Sequence, residues 1–183
     1  MAASGASAHA CSHAFDAWLF ARLVAAREVF GELAWLGLSD QQTAALFARH
    51  FPAIRAPSLT VTGAFPLTVQ HTAHATFISS MKRLLQTHTS AAVDPADADC
   101  LASIIAHACL RPDHLWRDLG LRGRDDVTQM LDRYVPSLVA RNVDNLRWKK
   151  LLARELALSL GETPGPAPGC PGCEDFSFCF PKA

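Results

Sequence analysis

Apolar residues recur at helical spacing through almost every segment between residues 14 and 160, and this periodicity limits the possible folds more than any other feature. Side chains three and four apart share one helix face, so each such stretch carries a face that must be buried against another element. Phe15, Trp18, Leu19, Leu23, Phe30, Leu33 and Leu36 mark an amphipathic helix from Ala14 to Leu36 that closes near Gly37. Ser39 with Gln42 has the form of a capping box, and Pro52 stops the short helix carrying Ala45, Leu46 and Phe47. Between Pro52 and Gln70, Pro57, Gly63 and Pro66 break up the threonines and valines, which predicts a loop. Phe77, Ile78, Met81, Leu84 and Leu85 carry the next helix.

Asp94-Pro95 reads as an N-cap followed by proline at the first helical position. It opens a helix to about Leu110 with Leu101, Ile104, Ile105 and Ala108 on its buried side. A helical turn or two from Asp113 closes at Gly120, with His114 and Trp116 pointing in different directions. Arg124 to Tyr134 forms a further short helix, and Pro136 opens a last long one that runs to Leu160 and stops at Gly161. The expected class is all-α, a single helical domain of about five to seven helices over residues 14–161. A flexible N-terminus (1–13) precedes it, and a Pro/Gly-rich spacer leading into an irregular Cys-rich, metal-binding tail (162–183) follows.

Charge excludes some partners. With 17 basic and 17 acidic residues, the balance points to no nucleic acid and no membrane surface. No window is long and apolar enough for a bilayer crossing, and Met1 to His13 carries no Lys or Arg of the kind that opens a secretory signal. The expected location is cytoplasmic, where clustered thiols hold metal more readily than they form disulfides.

Three of the six cysteines, Cys170, Cys173 and Cys179, fall in the tail. A Pro-Gly turn between the first two brings both sulfurs to one side of the chain, and the third closes a three-sulfur cup suited to zinc or an iron–sulfur cluster. Elsewhere the ordinary reading is structural. Cys100 and Cys109 read as buried core thiols, Cys11 is remote, and His71 and His74 read as a solvated pair. His114 alone reads as a hydrogen-bonded core histidine. The run Arg147-Trp148-Lys149-Lys150 has the composition of a solvated face, yet its helix leads into the cysteine tail, which could set these cations beside an anionic cluster or oxyanion.

Several segments together carry a resemblance: Ala106-His107-Ala108-Cys109, His114-Leu115-Trp116-Arg117-Asp118-Leu119-Gly120-Leu121, Arg141-Asn142, Arg147-Trp148-Lys149-Lys150 and Cys170-x2-Cys173-x5-Cys179-Phe180. With Leu36-Gly37-Leu38 and Arg49-His50-Phe51-Pro52, they resemble the NifQ family of nitrogen-fixation proteins. The resemblance implies a molybdenum and iron–sulfur carrier, with a mixed Mo–Fe–S cluster, that supplies molybdenum for the iron–molybdenum cofactor of nitrogenase. It implies the NifEN scaffold and the iron protein NifH as partners, a molybdate or other molybdenum source, and no substrate turnover, hence no enzyme. Cys170, Cys173 and Cys179 would then be the cluster ligands. The family pattern Cys-x4-Cys-x2-Cys-x5-Cys has its first place on Gly165 here, which cannot ligate, and Cys109 or His114 are the candidates to complete the site.

A competing reading from another class is a zinc-stabilised helical interaction module, in which the metal clips the tail to the helical body. An enzyme using His114 with Asp113 or Asp118 lacks the glycine loop, nucleophile elbow or paired-histidine motif that would accompany it.

Overall fold

A computed structural model describes residues 3–57 and 72–181, with side chains from Ser12 onward. The Cys11 side chain and His71 lie outside the described residues. Among those residues the chain is all helical, with no strand: α1 (Ala3–Glu28), α2 (Asp40–His50), α3 (Ala75–Thr87), α4 (Pro95–Ala108), α5 (Leu115–Asp118), α6 (Arg124–Tyr134), α7 (Pro136–Val139), α8 (Trp148–Leu160) and α9 (Phe176–Cys179). Single 3-10 turns lie at Leu33–Leu36 and Cys170–Gly172. No helix among the described residues is long and apolar enough to cross a membrane.

The centre is α4. Every residue from Asp97 to Ala108 except Asp99 is buried, because α4 packs against α2, α3, α5 and the Leu33–Leu36 turn at once. Ala98, Ala102 and Ala106, four apart, keep one face slim enough for neighbours to approach closely. Its start follows the sequence: the Asp94 carboxylate accepts from the amides of Ala96 at 2.8 Å and Asp97 at 3.2 Å. The α2 capping box also forms, with the Ser39 amide donating to Gln42 Oε1 at 2.9 Å and the Gln42 amide to Ser39 Oγ at 3.2 Å.

Buried charge fastens the outer helices. Asp16 on α1 accepts from Arg133 Nε at 2.6 Å and from the Tyr134 hydroxyl at 2.8 Å, both on α6. Asp97 on α4 accepts from Arg49 Nε at 2.9 Å, and His50 Nε2 stands 2.8 Å from its other oxygen. Burial alone would push the Asp97 carboxyl up; these hydrogen bonds outweigh it and hold the group below the usual carboxylate range.

Three expectations need correction. The first helix begins at Ala3, not Ala14, and stops at Glu28, not Leu36: Val29 and Phe30 are 78% and 72% exposed, Gly31 turns the chain with φ 66°, and only then does the Leu33–Leu36 turn begin. The last helix is two. After α7, Asn142 bridges the break, accepting from the Leu146 amide at 2.7 Å and donating to its carbonyl at 3.0 Å, while Asn145 takes a left-handed φ of 52°. Val143, which fitted the apolar stripe, is 84% exposed. The nine helices among the described residues exceed five to seven because α5, α7 and α9 are one-turn pieces.

Candidate metal centre

After α8 the spacer lies on the body. Ala167 is fully buried, and the Gly169 amide donates to the Cys109 carbonyl at 3.0 Å, seating the tail on the turn that ends α4. Glycine is required here by close approach, since a Cβ on Gly169 would stand 2.0 Å from the Arg111 carbonyl oxygen. The same turn meets Gly172, whose Cβ would fall 2.5 Å from that of Pro112.

The Cys170–Gly172 turn closes with the Cys173 amide donating to the Cys170 carbonyl at 2.9 Å. Cys170 and Cys173 flank this turn, and α9 carries Cys179. Cys170, Cys173 and Cys179 line one cleft of about 540 Å³ of non-atom space, including its open mouth. His114, Trp148, Lys149 and Lys150 share that cleft, with Arg124, Arg147 and Asp175 beside them and Phe176 and Phe180 as apolar wall. Lys150 reaches the carbonyl of Cys179 with its ammonium and lies 5.0 Å from the Phe180 ring centre.

Burial and the cations of the cleft act on two of its thiols in opposite directions. Burial raises the Cys170 thiol, offset in part by a backbone hydrogen bond at Ala167 and by the Lys149 charge. Burial also raises Cys179, against the pull of Lys150 and Arg147, and Cys173 pushes both further up. Free, these groups are protonated thiols; a bound metal must displace their protons, and the surrounding cations favour that step.

Cys109 and His114 separate clearly. Cys109 is fully buried and pushed up to about 12 by that burial; it borders Cys170 from behind and is not among the residues facing the cleft. Cys100, pushed up to about 11 by burial on α4, sits near Arg49 rather than in the cleft, so both thiols are core residues as their surroundings predict. His114 is on the cleft. It is the N-cap of α5 with extended ψ of 143°, which turns its ring against Trp116 at 6.4 Å and 11° between planes, so the two do not point apart as a helical turn would place them. Its Nε2 stands 3.4 Å from Asp175 Oδ2 and 3.6 Å from Glu174 Oε1.

Sequence reasoning missed this acidic rim. Asp113, His114 and Glu174 offer ligand atoms within 4.8 Å of one another, and Arg117 ties Asp113 at 3.1 Å to Glu174 at 2.9 Å. The signal was present: Glu174 and Asp175 fall inside the Cys-rich tail, between Cys173 and Cys179. Gly165, by contrast, lines another groove with Thr76, Phe77 and Leu160. Of the two residues expected to stand in for the fourth cysteine, His114 and not Cys109 lines the cleft with the three tail cysteines.

Soft sulfur donors, an imidazole and flanking cations fit a metal–sulfide core. One buried atom points the same way. The indole N–H of Trp148, a residue of the cleft wall only 6% exposed, is buried and has no acceptor among the described residues.

Comparison with known proteins follows the same residues. The family model described as NifQ matches residues 17–181. "Protein NifQ" of Azotobacter vinelandii is 44% identical over 80 residues, 44% of this chain and 41% of that protein. "Protein NifQ" of Klebsiella pneumoniae is 40% identical over 85 residues, covering 46% of this chain and 51% of the relative. "Protein NifQ homolog" of Sinorhizobium fredii is 44% identical over 79 residues, 43% of this chain and 34% of the relative. The chain thus spans from about a third to about half the length of these curated relatives. No solved structure matches the chain.

Proposed function

The chain belongs to the NifQ family, and from that premise we propose that it is a cytoplasmic carrier in nitrogen fixation rather than an enzyme. Its cargo is an iron–sulfur cluster with molybdenum, passed on for assembly of the iron–molybdenum cofactor of nitrogenase. Cys170, Cys173 and Cys179 hold the iron through thiolates, and His114 stands at the end of the cleft where a harder donor suits molybdenum. NifEN and NifH are the partners in this reading, with molybdate or a related source upstream.

The observation that carries the proposal is the convergence of three family-pattern cysteines and His114 on one open-mouthed cleft. Openness suits transfer: a carrier must bind through part of the cluster's surface and leave the rest to a receiver. Lys150, Arg147 and Lys149 offset the negative charge that thiolates and sulfides bring together.

The same four side chains favour a second reading, since three cysteines and one histidine also form a closed structural zinc set. A zinc-clipped interaction module would be colourless with one stoichiometric zinc. The carrier is brown when purified without oxygen and contains iron, sulfide and molybdenum. Single substitutions Cys170→Ala, Cys173→Ala and Cys179→Ala should each reduce bound iron and sulfide by on the order of tenfold or more, measured on anaerobic protein. His114→Ala should lower molybdenum while leaving most of the iron. Unchanged metal in all three cysteine variants removes the proposal.

A further inference from the structure

Against the cleft runs a ladder of alternating charges on three helices and two turns. Arg27 on α1 donates to Glu32 Oε2 at 2.7 Å, and Arg111 Nη1 donates to the same oxygen at 3.1 Å. Arg111 Nε donates to Asp118 Oδ1 at 3.2 Å, and the other Asp118 oxygen accepts from the Lys149 ammonium. Lys149 also donates to the Arg111 carbonyl at 2.8 Å. Lys149 and Asp118 are 5% and 7% exposed, unlike Lys150, which reaches the tail through the Cys179 carbonyl from outside.

Two features make this more than a structural pair. The Arg111 carbonyl that Lys149 holds is the one against which Gly169 packs, so the anchor lies directly under the seat of the tail. The ladder also holds three cations, Arg27, Arg111 and Lys149, against two carboxylates, Glu32 and Asp118, and Lys149 at its end lines the same cleft as Cys170. A buried charge is screened little by salt or solvent, so it acts on whatever occupies the cleft.

We propose that Lys149 is the positioning residue of the metal centre: its buried ammonium locks the 109–112 turn on which the cysteine tail is seated and holds a fixed positive charge at the cleft that Cys170 lines for an anionic metal–sulfide cluster. Asp118 aims that ammonium, which couples the Arg147–Lys150 run to the His114–Leu121 segment through one contact. The charge half of the proposal rests on the carrier reading; the seating half does not.

The experiment uses the full chain in metal-free and cluster-loaded forms, with Lys149→Met and the double substitution Lys149→Met/Asp118→Leu. In the metal-free protein, hydrogen exchange at the Gly169 and Cys173 amides should rise by about tenfold or more in Lys149→Met while α4 amides stay protected. In the loaded protein, the cluster's reduction potential should move to more negative values as the nearby positive charge is lost. The double variant removes both buried charges and should recover thermal stability without recovering the potential. Unchanged exchange at Gly169 overturns the seating role. A parental potential in Lys149→Met, or recovery of the potential in the double variant, overturns the charge role. If the unsubstituted protein takes up no cluster, the carrier reading and the charge role fall together, and amide exchange alone still decides the seating role.

Discussion

Cys100 and Cys109 belong to the helical body and are 2% and 0% exposed, whereas Cys173 and Cys179 on the tail are partly open and face a cleft. Burial pushes thiols up in both places, and cations pull back in both, Arg49 on Cys100 and Lys149 on Cys109 and Cys170; only the tail cysteines also border a cleft that Lys150 and Arg147 line. Identical side chains are thus packed into the core in one region and set on a cleft wall in the other, and environment alone makes the difference. Cys170 stands between the two: it is buried like a core residue yet forms part of the cleft wall.

The two regions should come apart under substitution. The largest effect belongs to the body: Ile105→Ala empties a fully packed site on α4 and should cost about 2–5 kcal/mol, read as a lower urea midpoint. Metal per folded molecule should not change; a parallel loss of iron would mean that body and tail are one unit. Gly169→Ala is the reverse case. Its Cβ has nowhere to go but into the Arg111 carbonyl, so the tail must lift at a cost of about 1–3 kcal/mol. Iron binding should fall steeply while the midpoint of the body stays close to that of the parent; preserved iron content would show that the tail need not be seated.

The smallest effect is a pH dependence confined to the body. Asp97 has a folded-state value below its unfolded one, so its stabilisation is present above about pH 4 and is lost as pH falls through the folded value. Asp97→Asn should flatten this acid limb, and a limb as steep as the parent's would assign the acid sensitivity elsewhere. Titration against urea between about pH 5 and 2.5 reads both proteins.

Much of this was legible in the chain. The capping box at Ser39, the Asp94-Pro95 start of α4 and the stop at Gly161 are local devices, satisfied within a few residues, and they appear where the letters place them. The Pro-Gly turn between Cys170 and Cys173 is equally local. Illegible were events in which periodicity persists across a break. Val143 continued an apolar stripe that the Asn142 and Asn145 side chains and backbone interrupt, and Leu33 and Leu36 kept helical spacing across the turn at Gly31.

Sequence by itself determined the helical class, the three-sulfur spacing and the family, because these depend on intervals along the chain. Only the tertiary structure decided that His114 and not Cys109 lines the cleft with the tail cysteines, that Gly165 lies in another groove, and that Lys149 is buried while Lys150 beside it reaches round to the tail. Those outcomes depend on which surfaces of distant segments meet: α5 packs on α4, α8 packs on α3 and reaches the turn after α4 through Lys149, and no spacing within any one of them encodes the angle at which the others arrive.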